Sequence, residues 1–119
     1  MKEVTEEHLL HDEEGFDSFG EYVDYYANVA HAVEEYIESN GVKYVEGILN
    51  MGQDEIEHIV RIGTSVMMNH WNLNRYEPGS FVKAVIEGDL DGAFARADHI
   101  NTKAIRLYVM MKHNLSYPF

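Results

Sequence analysis

The stretch SFGEYVDYYANVAHAVEEYIES, Ser18 to Ser39, decides the fold. Phe19, Tyr22, Val23, Tyr26, Val29, Ala30, Val33, Tyr36 and Ile37 recur at the i, i+3, i+4, i+7 spacing of one helical stripe. Glu21, Asp24, Asn28, His31, Glu35 and Glu38 fall mostly off that stripe. Ser18 with Glu21 three residues later has capping-box form, and Asp17 competes for the N-cap. Asn40-Gly41 supplies turn chemistry for a stop. The pattern therefore predicts a long amphipathic acidic helix over residues 18–39.

The same period carries on through the chain. Val42, Val45, Ile48 and Leu49 form a second helical pattern, which Gly52 ends or kinks. Asp54-Glu55 opens a third, with Ile56, Ile59, Val60, Gly63, Met67, His70 and Trp71 on one face. Asn72 to Glu77 reads as a loop. Ser80 then N-caps a short helix carrying Phe81, Ala84, Val85 and Ile86. Gly88-Asp89 breaks it and caps the next, with Leu90, Ala93, Phe94 and Ala97 inward. Asn101 or Thr102 caps a last helix with Ile105, Leu107, Tyr108, Val109 and Met111, which Pro118 cannot extend. No stretch alternates with period 2 and none repeats at a fixed period. The expectation is an all-α, single-domain bundle of five or six helices spanning residues 1–119, with an acidic N-terminal segment over residues 1–17.

Composition bounds what such a bundle does. The 119 residues hold 21 Asp and Glu against 9 Lys and Arg, a formal net charge of −12, yet 45% are hydrophobic and 14 are aromatic. That apolar content is enough to offset the entropy of ordering one core. Zero Cys removes disulfides, thiolate nucleophiles and Cys-ligated zinc or iron-sulfur centres. The first 15 residues have no apolar core segment of a signal peptide, and no apolar run approaches the ~20 residues of a membrane span. The chain reads as soluble and cytoplasmic in its host cell.

The charge is unevenly placed. Residues 1–40 carry Glu3, Glu6, Glu7, Asp12, Glu13, Glu14, Asp17, Glu21, Asp24, Glu34, Glu35 and Glu38 against Lys2 alone, a net of −11. Residues 41–119 carry nine acids and eight bases, a net of −1. Direct binding to nucleic acid or an anionic membrane is disfavoured, because both are recognised by neutralising phosphates. A basic protein surface is the complementary partner.

Few motifs support catalysis. Glu55-x-x-His58 has the spacing seen on helices of di-iron carboxylate bundles, but no second copy exists and Ile56, Ile59 and Val60 claim the inward face. His8 and His11 lie one helical turn apart among acids, the setting of an exposed polar segment. His70 and Trp71 read as a partly buried structural pair. There is no nucleophile elbow, phosphate loop or dinucleotide fingerprint, so no catalytic residue, metal ligand or cofactor is assigned. Arg96, Asp98 and Asn101 form the densest polar cluster of the C-terminal half, suited to pairing at a helix junction or to holding a ligand.

The run PGSFVKAVIEGDLDGAFARADHIN, residues 78–101, resembles a pattern in small phage- and plasmid-encoded proteins of unassigned function. Pro78, Gly79, Ser80, Phe81, Ala84, Val85, Asp89, Leu90, Arg96, Ala97, Asp98 and Asn101 match, and Gly88 stands where Asn is usual. The resemblance covers about 40 of 119 residues, over 78–119. It implies a mobile-element origin and brings no active site.

The leading expectation is a non-catalytic module that docks its twelve N-terminal acids on the basic, nucleic-acid-binding surface of a host protein, as an inhibitor of the anti-defence or host-takeover type. Literal DNA mimicry is limited by spacing. A helix over residues 18–39 is roughly 33 Å long and carries a charge every ~6–7 Å, whereas duplex DNA has one per ~1.7 Å. Mimicry therefore needs the acids from Glu3 to Asp17 alongside, or a homodimer that doubles the array. The alternative is a homo-oligomeric scaffold whose Tyr22, Tyr25, Tyr26, Tyr36 and Tyr44 form the interface. A metal enzyme using Glu55 and His58 stands third.

Overall fold

The computed structural model describes residues 19–73 and 77–117. Among these residues five α-helices are present: α1 (Phe19–Tyr44), α2 (Gln53–His70), α3 (Ser80–Glu87), α4 (Leu90–Arg96) and α5 (His99–Asn114). No strand occurs among them. The fold is the all-α bundle expected. α1 packs along α2, α2 along α5, and α5 returns to α1, so the three long helices enclose the core. The short α3–α4 pair closes one side, with α3 against α2 and α5. No described helix is long and apolar enough to cross a membrane.

The core follows the stripes. Val29 and Val33 of α1, Ile59, Val66 and Met67 of α2, and Ala104, Leu107, Tyr108 and Met111 of α5 are fully buried. Their meeting point is Gly63, where an added Cβ would lie 3.0 Å from Val33 Cγ1 and 3.2 Å from Met111 Cε. The missing side chain thus sets how closely α1 and α5 approach α2. Lys112 Nζ reaches from α5 to donate to the carbonyls of Val85 (2.8 Å) and Ile86 (3.1 Å), capping the end of α3.

Four sequence expectations are corrected. Asn40-Gly41 does not stop α1, which continues to Tyr44. A Cβ at Gly41 would stand 2.7 Å from Ile48 Cδ1, so the glycine lets the following turn fold back on the helix. Asn40 keeps its amide within the helix by donating to Tyr36 O at 3.1 Å. The helix ends at Tyr44, and Gly47, in the left-handed region at φ 75°, turns the chain into the short segment that follows.

The second helix over Val42 to Leu49 is instead the end of α1 and a short 3-10 turn, Ile48–Asn50, which leaves Val42 and Leu49 exposed. Leu90 and Phe94 do not point inward: they are 49% and 55% exposed, because Gly92 and Ala93 make the buried face of the two-turn α4. The last helix is capped by Asp98, not by the expected Asn101 or Thr102, and Asn101 is buried.

Of the tyrosines expected at an interface, Tyr22 and Tyr44 are buried and Tyr25, Tyr26 and Tyr36 pack half-buried against the core. Two smaller differences remain. Gly79, not Ser80, is the N-cap of α3, and His70 is exposed beside a half-buried Trp71 that meets Tyr117 edge-on at 5.3 Å.

Gly63→Leu is expected to destabilise the protein by roughly 2 kcal/mol in urea unfolding, since it drives a side chain into closely packed Val33 and Met111.

Candidate functional site

The junction of α4 and α5 is built from capping chemistry. Asp89 Oδ1 accepts from Gly92 N at 2.9 Å and starts α4. Arg96, in its last turn, donates from Nη1 to Gly92 O at 3.2 Å. Ala97 is extended, which ends α4, and Asp98 starts α5 by accepting from Asn101 N at 2.7 Å. Thr102 Oγ1 donates back to the Asp98 carbonyl at 2.9 Å.

Asp98 has a second partner on another helix. Its Oδ2 lies 2.9 Å from His58 Nε2, and His58 Nδ1 lies 2.7 Å from Arg61 Nη2. A guanidinium only donates, so Nδ1 is the acceptor and Nε2 carries the proton given to Asp98. His58 is thereby fixed as the neutral Nε2–H tautomer in this arrangement, and the Asp98–His58–Arg61 chain ties the start of α5 to the middle of α2. Beneath it, Tyr108 donates its hydroxyl to Asn101 Oδ1 at 2.7 Å. Burial, reinforced by the negative Asp98, pushes the Tyr108 phenol far above its ordinary value, so it stays a donor.

Of these groups Arg61, Asp98 and Asn101 border a cleft of about 800 Å³ among the described residues. Tyr22 and Tyr26 of α1 form one wall, with rings 6.3 Å apart and tilted by 43°. Arg61, Ile62, Ser65, Met68 and Asn69 of α2 form a second. Glu77 to Ser80 and then Phe81 and Val82 lie at the start of α3, and Arg96, Asp98 and Asn101 close the far side, so two arginines and two carboxylates line the cleft. Burial raises the Tyr26 phenol, with the nearby Arg61 charge opposing. The cluster singled out in the sequence thus lines a larger cleft to which α1 and α2 contribute.

The acids fall elsewhere. Asp24, Glu34, Glu35 and Glu38 are exposed on α1 and Glu21 is half-buried. Glu34, Glu35, Glu38 and His31 surround a smaller groove of about 250 Å³ whose base is Ile37, Ile56 and Val60. His31 Nε2 lies 3.6 Å from Glu35 Oε1 with both side chains in solvent, a contact worth little. Among the described residues, no cation pairs with Asp24, Glu34 or Glu38. Glu3, Glu6, Glu7, Asp12, Glu13, Glu14 and Asp17, like His8 and His11, lie outside the described residues.

Glu55 and His58 are drawn apart by their partners. Glu55 Oε1 accepts from Gly52 N at 2.9 Å and caps α2, while His58 serves Asp98 and Arg61. No group of three or more His, Asp or Glu converges among the described residues.

Arg61 was not singled out by the sequence, and Tyr22 and Tyr26 were expected at an interface between copies, not in a cleft. Their only signal is position: Arg61 and Ser65 border the apolar stripe of α2, and the two tyrosines lie within that of α1. No family model, curated protein or solved structure matches this chain.

Replacing the α5 cap separates its two roles. Asp98→Ala should cost about 1–2 kcal/mol in urea unfolding, and Asp98→Asn should recover most of it, because Asn also caps but gives His58 no charge. A second expectation concerns alkali. Since the Tyr26 phenol is raised from 10.0 in the folded state, the unfolded chain releases that proton first, and stability is full below pH 10.0 and falls above it. Tyr26→Phe should make the urea midpoint fall less steeply between pH 10.0 and alkaline unfolding.

Proposed function

We propose that this chain is a non-catalytic protein-binding module of phage or mobile-element origin, which docks its acidic N-terminal face on the basic surface of a nucleic-acid-binding host protein and inhibits or modulates it. The observation that carries this reading is the groove at the C-terminal half of α1. Glu34, Glu35 and Glu38 surround an apolar base of Ile37, Ile56 and Val60. An acidic rim over an apolar base suits Lys and Arg, whose aliphatic stems pack while their heads meet carboxylates. Asp24 extends the same charge along the exposed side of α1.

Partial DNA mimicry is the finer form of this proposal. The 26 residues of α1 are ~39 Å long and carry Glu21, Asp24, Glu34, Glu35 and Glu38, about one charge per 8 Å against ~1.7 Å in duplex DNA. Mimicry on that scale draws on the seven acids of residues 3–17 as well. The mobile-element origin rests on the residue pattern of 78–119.

A homo-oligomeric scaffold is the second reading, and one observation favours it. Leu90 and Phe94 sit one turn apart on α4, 49% and 55% exposed, as an apolar pair facing outward.

Pull-down from host lysate in low salt and at ~0.5 M salt tests the electrostatic reading. The expected result is a nucleic-acid-binding protein retained at low salt, released at high salt, and lost with the Glu34→Gln, Glu35→Gln, Glu38→Gln triple variant. Retention that is indifferent to both salt and substitution would refute it. Light scattering on the same samples, with Leu90→Ser and Phe94→Ser, reports whether α4 mediates self-association.

A further inference from the structure

The cleft between α1, α2 and the α4–α5 junction is distinct from the acidic face. We infer that it is a binding site for a small organic anion with a flat, apolar body, of the aryl carboxylate or nucleoside monophosphate kind.

Three independent observations lead there. Asn101 is only 4% exposed and lines the cleft, and its side-chain amide has one partner, the Tyr108 hydroxyl. Turning the amide over exchanges oxygen for nitrogen and still leaves one polar end without a partner among the described residues. Such a buried group costs stability unless a further hydrogen bond satisfies it.

The charge of the walls is the second observation. Arg61 gives one bond to a neutral imidazole and Arg96 one to a backbone carbonyl. Neither guanidinium meets a carboxylate among the described residues, although the chain carries an excess of twelve negative charges. Of the nearby carboxylates, Asp98 is committed to Asn101 N and His58, Asp89 to Gly92 N, and Glu77 also lines the cleft without a cation partner among the described residues. Two guanidiniums held in this way keep their remaining N–H donors for an anion.

Shape is the third. A cleft of about 800 Å³ falls within the range of roughly 300–1,000 Å³ typical of small-molecule sites. Its apolar floor of Ile62, Met68 and Phe81 and the ring wall of Tyr22 and Tyr26 suit a flat body better than a bare ion. Together these give an anionic end for Arg61 and Arg96, an apolar plate for the tyrosines, and a hydrogen-bonding atom for Asn101. His58 is a positioning residue, because it holds Arg61 through Nδ1 while Asp98 holds its other face.

The test is titration of the full chain, followed by calorimetry and by amide NMR, with matched pairs of probes. Indole-3-acetate is compared with indole, adenosine monophosphate with adenosine, and inorganic phosphate stands alone. At least one organic anion should bind about tenfold more tightly than its neutral counterpart, the difference made by one charge-assisted contact, and should shift the Asn101 side-chain resonance. Arg61→Gln and Arg96→Gln should each weaken it about tenfold while the chain stays folded by thermal unfolding, and His58→Ala by a smaller factor.

Four results overturn the inference: equal affinity for charged and neutral members of both pairs, inorganic phosphate binding as well as any organic anion, binding unaffected by both arginine variants, or no binding by any probe up to ~5 mM, weaker than the millimolar end of the affinity scale. The wild-type comparison does not depend on how the variants fold. Loss of the acidic docking reading leaves it untouched, since none of the probes is basic.

Discussion

Everything in the bundle is arranged around the absence of a side chain at Gly63. Three helices converge there, and a hypothetical Cβ would lie 3.0 and 3.2 Å from side chains of two of them, tighter than ordinary contact. Close approach brings Val33, Met111 and Tyr108 into one layer, and that layer puts the Tyr108 hydroxyl within 2.7 Å of Asn101. A wider spacing would move α5 away from α2, and with it the Asp98 carboxylate from His58. Interiors packed near crystal density transmit such displacements instead of absorbing them. The polar chain at the cleft is therefore a consequence of apolar packing one layer below.

That chain runs from the core to the surface in few steps. Tyr108 holds Asn101, Asn101 N holds Asp98, Asp98 holds His58, and His58 holds Arg61. Each group meets a neighbour on another turn or another helix, and the exposed Arg61 guanidinium is directed by its one bond to His58. Asp98 does two jobs with its two oxygens, capping α5 with one and meeting His58 with the other. Preorganisation of this kind lowers the entropy lost when a ligand is bound.

Much of this was legible in the residues and some was not. The apolar stripes of residues 18–39 and 54–71 place α1 and α2 because a 3.6-residue period has one structural meaning over such lengths. Asn40-Gly41 misleads because its turn chemistry is local, whereas here Asn40 bonds back to Tyr36 O within the helix and Gly41 makes room for Ile48 of the following turn. Leu90 and Phe94 mislead because a seven-residue helix is too short for its apolar residues to define a face, and the small Gly92 and Ala93 pack instead. Arg96, Asp98 and Asn101 stand out by density along the chain. Arg61 and His58 could not be joined to them, since 40 positions separate His58 from Asp98 and only the fold closes that gap.

The cleft and the acidic groove share the α1–α2 pair, yet one does not neutralise the other. Tyr22 and Tyr26 mark the cleft end of α1, and Glu34 to Glu38 the groove end. Twelve residues separate the middles of the two sets, ~18 Å at ~1.5 Å per residue, about twice the screening length of ~8 Å at physiological ionic strength. The carboxylates of the groove therefore weaken the attraction of an anion to Arg61 and Arg96 only slightly. A chain with a net charge of −12 can in this way present an anionic groove and, some distance along the same helix pair, a cleft whose two arginines stand beside only two carboxylates, Asp98 and Glu77. What each meets is set by the few charges within a screening length, and not by the total.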